Sequence, residues 1–118
     1  MNEAILVVED EQIVAMDIQV HLERSGYHVF GVSAEAEEAL SRIESAAEPP
    51  SLVLMDVHLR GRMDGTEAAA IIRDRYDIPV VMLTAYADPE TLERVKNGDP
   101  SAYLIKPFKE RQLDVTVA

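Results

Sequence analysis

Five short apolar runs, each followed by a stretch of helical spacing, divide this chain from one end to the other. "AILVV" (4–8), "YHVFGV" (27–32), "LVLM" (52–55), "VVMLT" (80–84) and "AYLI" (102–105) have strand length and few polar interruptions, the pattern of strands buried on both faces. Between them, Val14, Ile18 and Leu22 mark a helix from Glu11 to Arg24, with Gly26 as its stop. Ser33 reads as the N-cap of a second helix, with Glu35, Glu37 and Glu38 in its first turns; it runs to about Ala47, where "EPPS" breaks it. Thr66–Tyr76 reads as a third helix, with Ala68, Ala69, Ile71 and Ile72 on its apolar side. Asp88 and Pro89 open a fourth that reaches Lys96, and a last helix starts near Phe108. Strict alternation of this kind implies an α/β fold, a doubly wound five-stranded parallel sheet with helices on both faces and a ligand crevice at the carboxyl ends of the strands. With 118 residues there is material for one domain, taken as 1–118, and too little for two.

Bulk properties remove several classes of function. The absence of cysteine excludes disulfides, thiolate metal sites and thiol catalysis. A net charge of −11 argues against direct binding of nucleic acid or anionic lipid, which needs clustered lysine and arginine. No run approaches the roughly 18 apolar residues of a membrane span, and "MNEAILVVEDE" has acids where a signal peptide has basic residues; a cytoplasmic location is expected.

The strand ends carry the chemistry. The first ends in Glu9 and Asp10, the third in Asp56, the fourth in Thr84 and the fifth in Lys106, whereas the second ends in Val32 and Ser33. If strands one, three, four and five are neighbours, three carboxylates, a hydroxyl and an ammonium meet in one cleft. Crowded carboxylates repel, and a hard divalent cation such as Mg²⁺ relieves this while keeping open positions for phosphate oxygens. Lys106 and the Thr84 hydroxyl could then serve other phosphate oxygens, leaving Asp56 as a nucleophile that forms an aspartyl phosphate.

The segments "ILVVEDE", "LVLMDVHL", "MDGTEAA", "IPVVMLTAYAD" and "AYLIKPF" resemble the receiver domain of two-component response regulators, over essentially the whole chain. The resemblance implies a flavodoxin-like strand order 2-1-3-4-5, with Asp56 as phosphoacceptor. It implies Mg²⁺ held by Asp10, Glu9, Asp56 and the backbone carbonyl of His58, with Thr84 as switch hydroxyl, Lys106 as phosphate-binding lysine and Tyr103 as switch aromatic. The implied donor is a sensor histidine kinase or a phosphotransfer protein. The implied output surface, for an output domain, a partner or a homodimer, is the face of helix four, strand five and helix five. Such a domain is a switch that catalyses only its own phosphorylation and dephosphorylation, not a turnover enzyme.

Two features depart from the family pattern. Glu9 stands where the family more often has Asp, so a contact through water is one option. The loop "HLRGRMDG" has Gly61 and one residue more than usual before its Asp-Gly pair, which bears on the metal geometry. The last helical pattern closes on Val115, Thr116 and Val117, poor helix formers, as expected if the chain was cut there or continues into another domain. Taken alone, Asp10 reads as a helix cap, Thr84 as a loop hydroxyl, Lys106 as a surface lysine and Tyr103 as core packing. A haloacid-dehalogenase-type phosphatase would need an Asp where His58 stands, and a dinucleotide fold would need glycines in "VEDEQ". The remaining alternative is a degenerate receiver acting as a phosphorylation-independent interaction module.

Overall fold

In a computed structural model the described residues are 4–57, 59, 63, 65–84 and 102–105, with Thr84 and 102–105 described by backbone alone. The elements are β1 (Ala4–Val8), α1 (Gln12–Arg24), β2 (His28–Ser33), α2 (Ala36–Ser45), β3 (Leu52–Asp56), α3 (Gly65–Ile71), β4 (Val80–Thr84) and β5 (Ala102–Ile105). All strand pairs are parallel, in the order β2-β1-β3-β4-β5. The parallel sheet is the one the alternating pattern implied, and its strand order is the one the family resemblance implied. The fourth and fifth helices fall outside the described residues.

Alternation along the strands sorts their side chains between two cores. Ile5, Val7, Leu54, Val81 and Leu83 pack with Ile18 and Leu22 of α1 on one side of the sheet. Leu6, Val8, Val53, Met55 and Met82 pack with α2 and α3 on the other, through Ala36, Ala39, Ile43, Ala68, Ala69 and Ile72. Small residues on α2 and α3 let those helices lie close to the sheet, and the larger side chains come from the strands. α1 ends as its glycine requires. Gly26 has φ +93, its N–H donates to the Glu23 carbonyl at 3.1 Å, and the Tyr27 N–H donates to that of Leu22 at 3.0 Å, which makes a Schellman cap.

Three local expectations are corrected. Ser33 is not an N-cap: it is the last residue of β2, in register with Val8, and its carbonyl accepts the Glu9 N–H at 2.9 Å. The cap passes to Glu35, which makes no side-chain cap bond, and α2 ends at Ser45 rather than near Ala47. The third helix keeps α-helical form only to Ile71 and widens into a π-helical turn over Ile72–Tyr76, closed by Asp77 in the left-handed region at φ 55. Ile72 is buried on the core side, while Ile71 is half-buried and lines a surface cleft with Ala70, Asp74 and Arg75.

Candidate functional site

Register explains why the acids meet. Val8 lies beside Met55, so the next residues, Glu9 and Asp56, leave neighbouring strands at the same level. By alternation Glu9 continues the side of Ile5 and Val7, and Asp56 that of Leu54, so both head toward the α1 face. Asp10 follows at the turn into α1. One carboxylate oxygen from each of Glu9, Asp10 and Asp56 lies within 4.8 Å of the others. Glu9 is only 2% exposed and Asp56 5%, while Asp10 is half-buried and opens toward solvent. Asp10 is not the cap of α1; Glu11 takes that position and makes no side-chain cap bond.

This donor set consists entirely of hard carboxylate oxygens. On an octahedral Mg²⁺ adjacent ligand oxygens stand about 3 Å apart and opposite ones about 4 Å, so small side-chain shifts bring the three groups onto one ion, or two directly and one through water. The residues fit a hard divalent cation.

The backbone around Asp56 is tightly bound. Val57 N–H donates to the Leu83 carbonyl at 2.9 Å, and the Val57 carbonyl accepts the Gly65 N–H at 3.0 Å. Gly65 lies so close that a Cβ there would overlap the Asp56 carbonyl oxygen. Glycine at position 65 is thus a close-packing requirement where α3 begins. On α2, a Glu37 carboxylate oxygen accepts the Met63 N–H at 2.9 Å, and Leu59 and Met63 pack against the α2–α3 core.

Thr84 ends β4, one residue past Leu83, the register partner of Asp56, and Tyr103 is opposite Met82 on β5. Their strands are placed as expected; their side chains are not described. His58 and Lys106 lie outside the described residues.

Sequence reasoning missed two features. α1 carries a second apolar stripe, with Ile13 85% and Met16 64% exposed and Val20 also exposed, at i, i+3, i+7 spacing that was legible in "QIVAMDIQV". Ile13 and Met16 border an open cleft of about 950 Å³ whose other walls include Glu9, Asp10, Val32 and Glu38. The Glu37–Met63 bond joins residues 26 apart and had no sequence signal.

A family model described as the response regulator receiver domain matches residues 5–118. The chain belongs to the response regulator receiver family. It is 36% identical over 104 residues to the transcriptional regulatory protein PdtaR of Mycobacterium tuberculosis, covering 88% of this chain and 49% of that protein. It is 30% identical over 118 residues to the phyllosphere-induced regulator PhyR of Methylorubrum extorquens, covering 100% of this chain and 43% of that one. The chain thus spans about half the length, or less, of these relatives. Among solved structures, the signal receiver domain of a modulated diguanylate cyclase from Desulfovibrio desulfuricans superposes with a TM-score of 0.90 at 32% identity, over 99% of this chain and 91% of that one. Receivers are signalling domains of two-component systems. Among the described residues no helix of this receiver is long and apolar enough to cross a membrane.

Proposed function

We propose that this receiver accepts a phosphoryl group on Asp56 in a Mg²⁺-dependent reaction and passes the change to its helix four–strand five–helix five face. The observation that carries this reading is the meeting of Glu9, Asp10 and Asp56 at the carboxyl edge of the sheet, within 4.8 Å, in a chain of this family. Asp10, Asp56 and Glu9, the last directly or through water, hold the cation with the His58 carbonyl. Bound there, Mg²⁺ neutralises oxygens of the incoming phosphoryl group. An Asp56 carboxylate oxygen attacks phosphorus, the O–P bond forms as the N–P bond of a phosphohistidine breaks, and the electron pair returns to the donor imidazole. Lys106 and Thr84 take the remaining phosphoryl oxygens, and Thr84 and Tyr103 rearrange with them. The domain is a switch that acts on itself, working in the cytoplasm with a sensor histidine kinase or phosphotransfer protein. A partner, an output domain or a second copy binds the output face, and this domain contacts neither nucleic acid nor membrane.

The exposed stripe of α1 supports a docking role toward the donor. Ile13 and Met16 border the cleft that leads to Asp10 and Glu9, so a protein carrying phosphohistidine can bury them while its imidazole reaches Asp56.

One experiment tests both steps. Incubation with acetyl phosphate and Mg²⁺ should add one phosphoryl mass to the intact chain, lost in Asp56→Asn and in EDTA. With a phosphohistidine protein as donor, Ile13→Asp and Met16→Asp should slow transfer while leaving acetyl phosphate uptake unchanged. No Asp56-dependent mass gain would leave an interaction module instead, and equal rates from both donors in the α1 variants would remove the docking face.

A further inference from the structure

We propose that Glu37 is a positioning residue for the Asp56 site, acting through Met63 and the packing of Gly65 against the Asp56 backbone. It touches none of the three clustered carboxylates; it sits on α2, across the sheet from the α1 face toward which Glu9 and Asp56 turn. Gly65, two positions past Met63, donates its N–H to the Val57 carbonyl. A shift of Met63 that reaches Gly65 pulls on the backbone of Asp56, because Gly65 is packed against the Asp56 carbonyl with no room for a Cβ.

Leu59 and Met63 pack against the α2–α3 core. Such apolar contact is non-directional. The Glu37 carboxylate supplies direction: its Oε1 accepts the Met63 N–H at 2.9 Å, a charge-assisted bond. Glu37 lies in the first turn of α2, where the helix dipole favours a negative group, so the charge is held in place from both sides. Its second oxygen, Oε2, is buried without a hydrogen-bond partner among the described residues. A carboxylate kept in so poorly satisfied a position points to the geometry of the Met63 bond as what the site requires. Neighbouring Glu38 provides the contrast: it is exposed and pairs with Arg42 at 3.2 Å along the helix.

The inference rests on the proposed Mg²⁺ site, and the test separates the two. Wild type, Glu37→Ala, Glu37→Gln and Glu44→Ala are compared for Mg²⁺ affinity by calorimetry and for amide hydrogen exchange of Met63 without metal, with circular dichroism showing that each is folded. Glu37→Ala should raise Met63 exchange and weaken Mg²⁺ binding, each by about tenfold. Glu37→Gln keeps an acceptor oxygen and should stay within about threefold of wild type on both counts. Glu44→Ala, an exposed position on the same helix away from the cleft, should match wild type. Faster Met63 exchange in Glu37→Ala with unchanged Mg²⁺ affinity would overturn the inference and leave the proposed function standing. So would a Glu37→Gln variant as weak as Glu37→Ala, since charge rather than the tether would then be acting. Absence of Mg²⁺ binding in all four proteins would instead bring down the functional reading, and this inference with it.

Discussion

Single residues at this edge are under opposing demands, and Asp10 shows it best. Glu9 and Asp56 are buried beside each other, and Asp10 adds a third carboxylate within 4.8 Å of both. A purely structural acid at the start of a helix would stabilise the fold by capping it, but the cap of α1 is Glu11. The Asp10 carboxylate adds like-charge repulsion to the metal-free cluster, which a cation relieves. Asp10→Asn should therefore abolish most of the rise in melting temperature that Mg²⁺ gives wild type. A variant whose melting temperature rises with Mg²⁺ as far as that of wild type would show that Asp10 serves the fold rather than a cation.

At the scale of elements, two glycines do different work and their substitutions should separate. Gly26 ends α1 at positive φ with open space around it, so Gly26→Ala pays only for the left-handed backbone, about 1 kcal/mol. Gly65 begins α3 against the backbone of Asp56 and Val57, where nothing can yield without moving β3. Gly65→Ala should cost about 1–3 kcal/mol and weaken Mg²⁺ binding as well, while Gly26→Ala leaves that binding unchanged. Urea melts and calorimetry on the two variants check this; an equal loss of metal affinity in both would mean that Gly65 has no special tie to the site. Element boundaries also show where sequence reading stops. "VVMLT" and "AYLI" were legible to the residue, because apolar runs bounded by turn residues have sharp ends. Ser33 deceived, because a hydroxyl before acidic residues has the chemistry of a cap, yet pairing with β1 carried the strand one residue further. The π-helical turn at Ile72–Tyr76 had no signal, since its apolar spacing is compatible with an ordinary helix.

For the whole molecule, the parallel topology is what turns scattered acids into one site. Glu9 and Asp56 are 47 positions apart and meet because β1 and β3 are neighbours, which alternation and the family resemblance together implied. Long-range side-chain bonds such as Glu37–Met63 follow from packing alone and stay hidden in the sequence. In the proposed function β4 and β5 are the path from Asp56 to the output face, and the register links them: Asp56 pairs with Leu83, and Thr84 with Ile105. If a phosphoryl group is bound better in one of two conformations, its arrival shifts their populations. Hydrogen exchange over residues 85–112 should therefore change when beryllofluoride and Mg²⁺ are added, and an unchanged pattern would argue against that route.

The account stands on a cation shared by three strand-end carboxylates, and a calorimetric Mg²⁺ titration of wild type beside Asp56→Asn addresses it most directly. The expected result is saturable one-site binding by wild type, weakened about tenfold or more in the variant. Wild type that takes up no Mg²⁺, or an Asp56→Asn variant that binds as tightly as wild type, would contradict it.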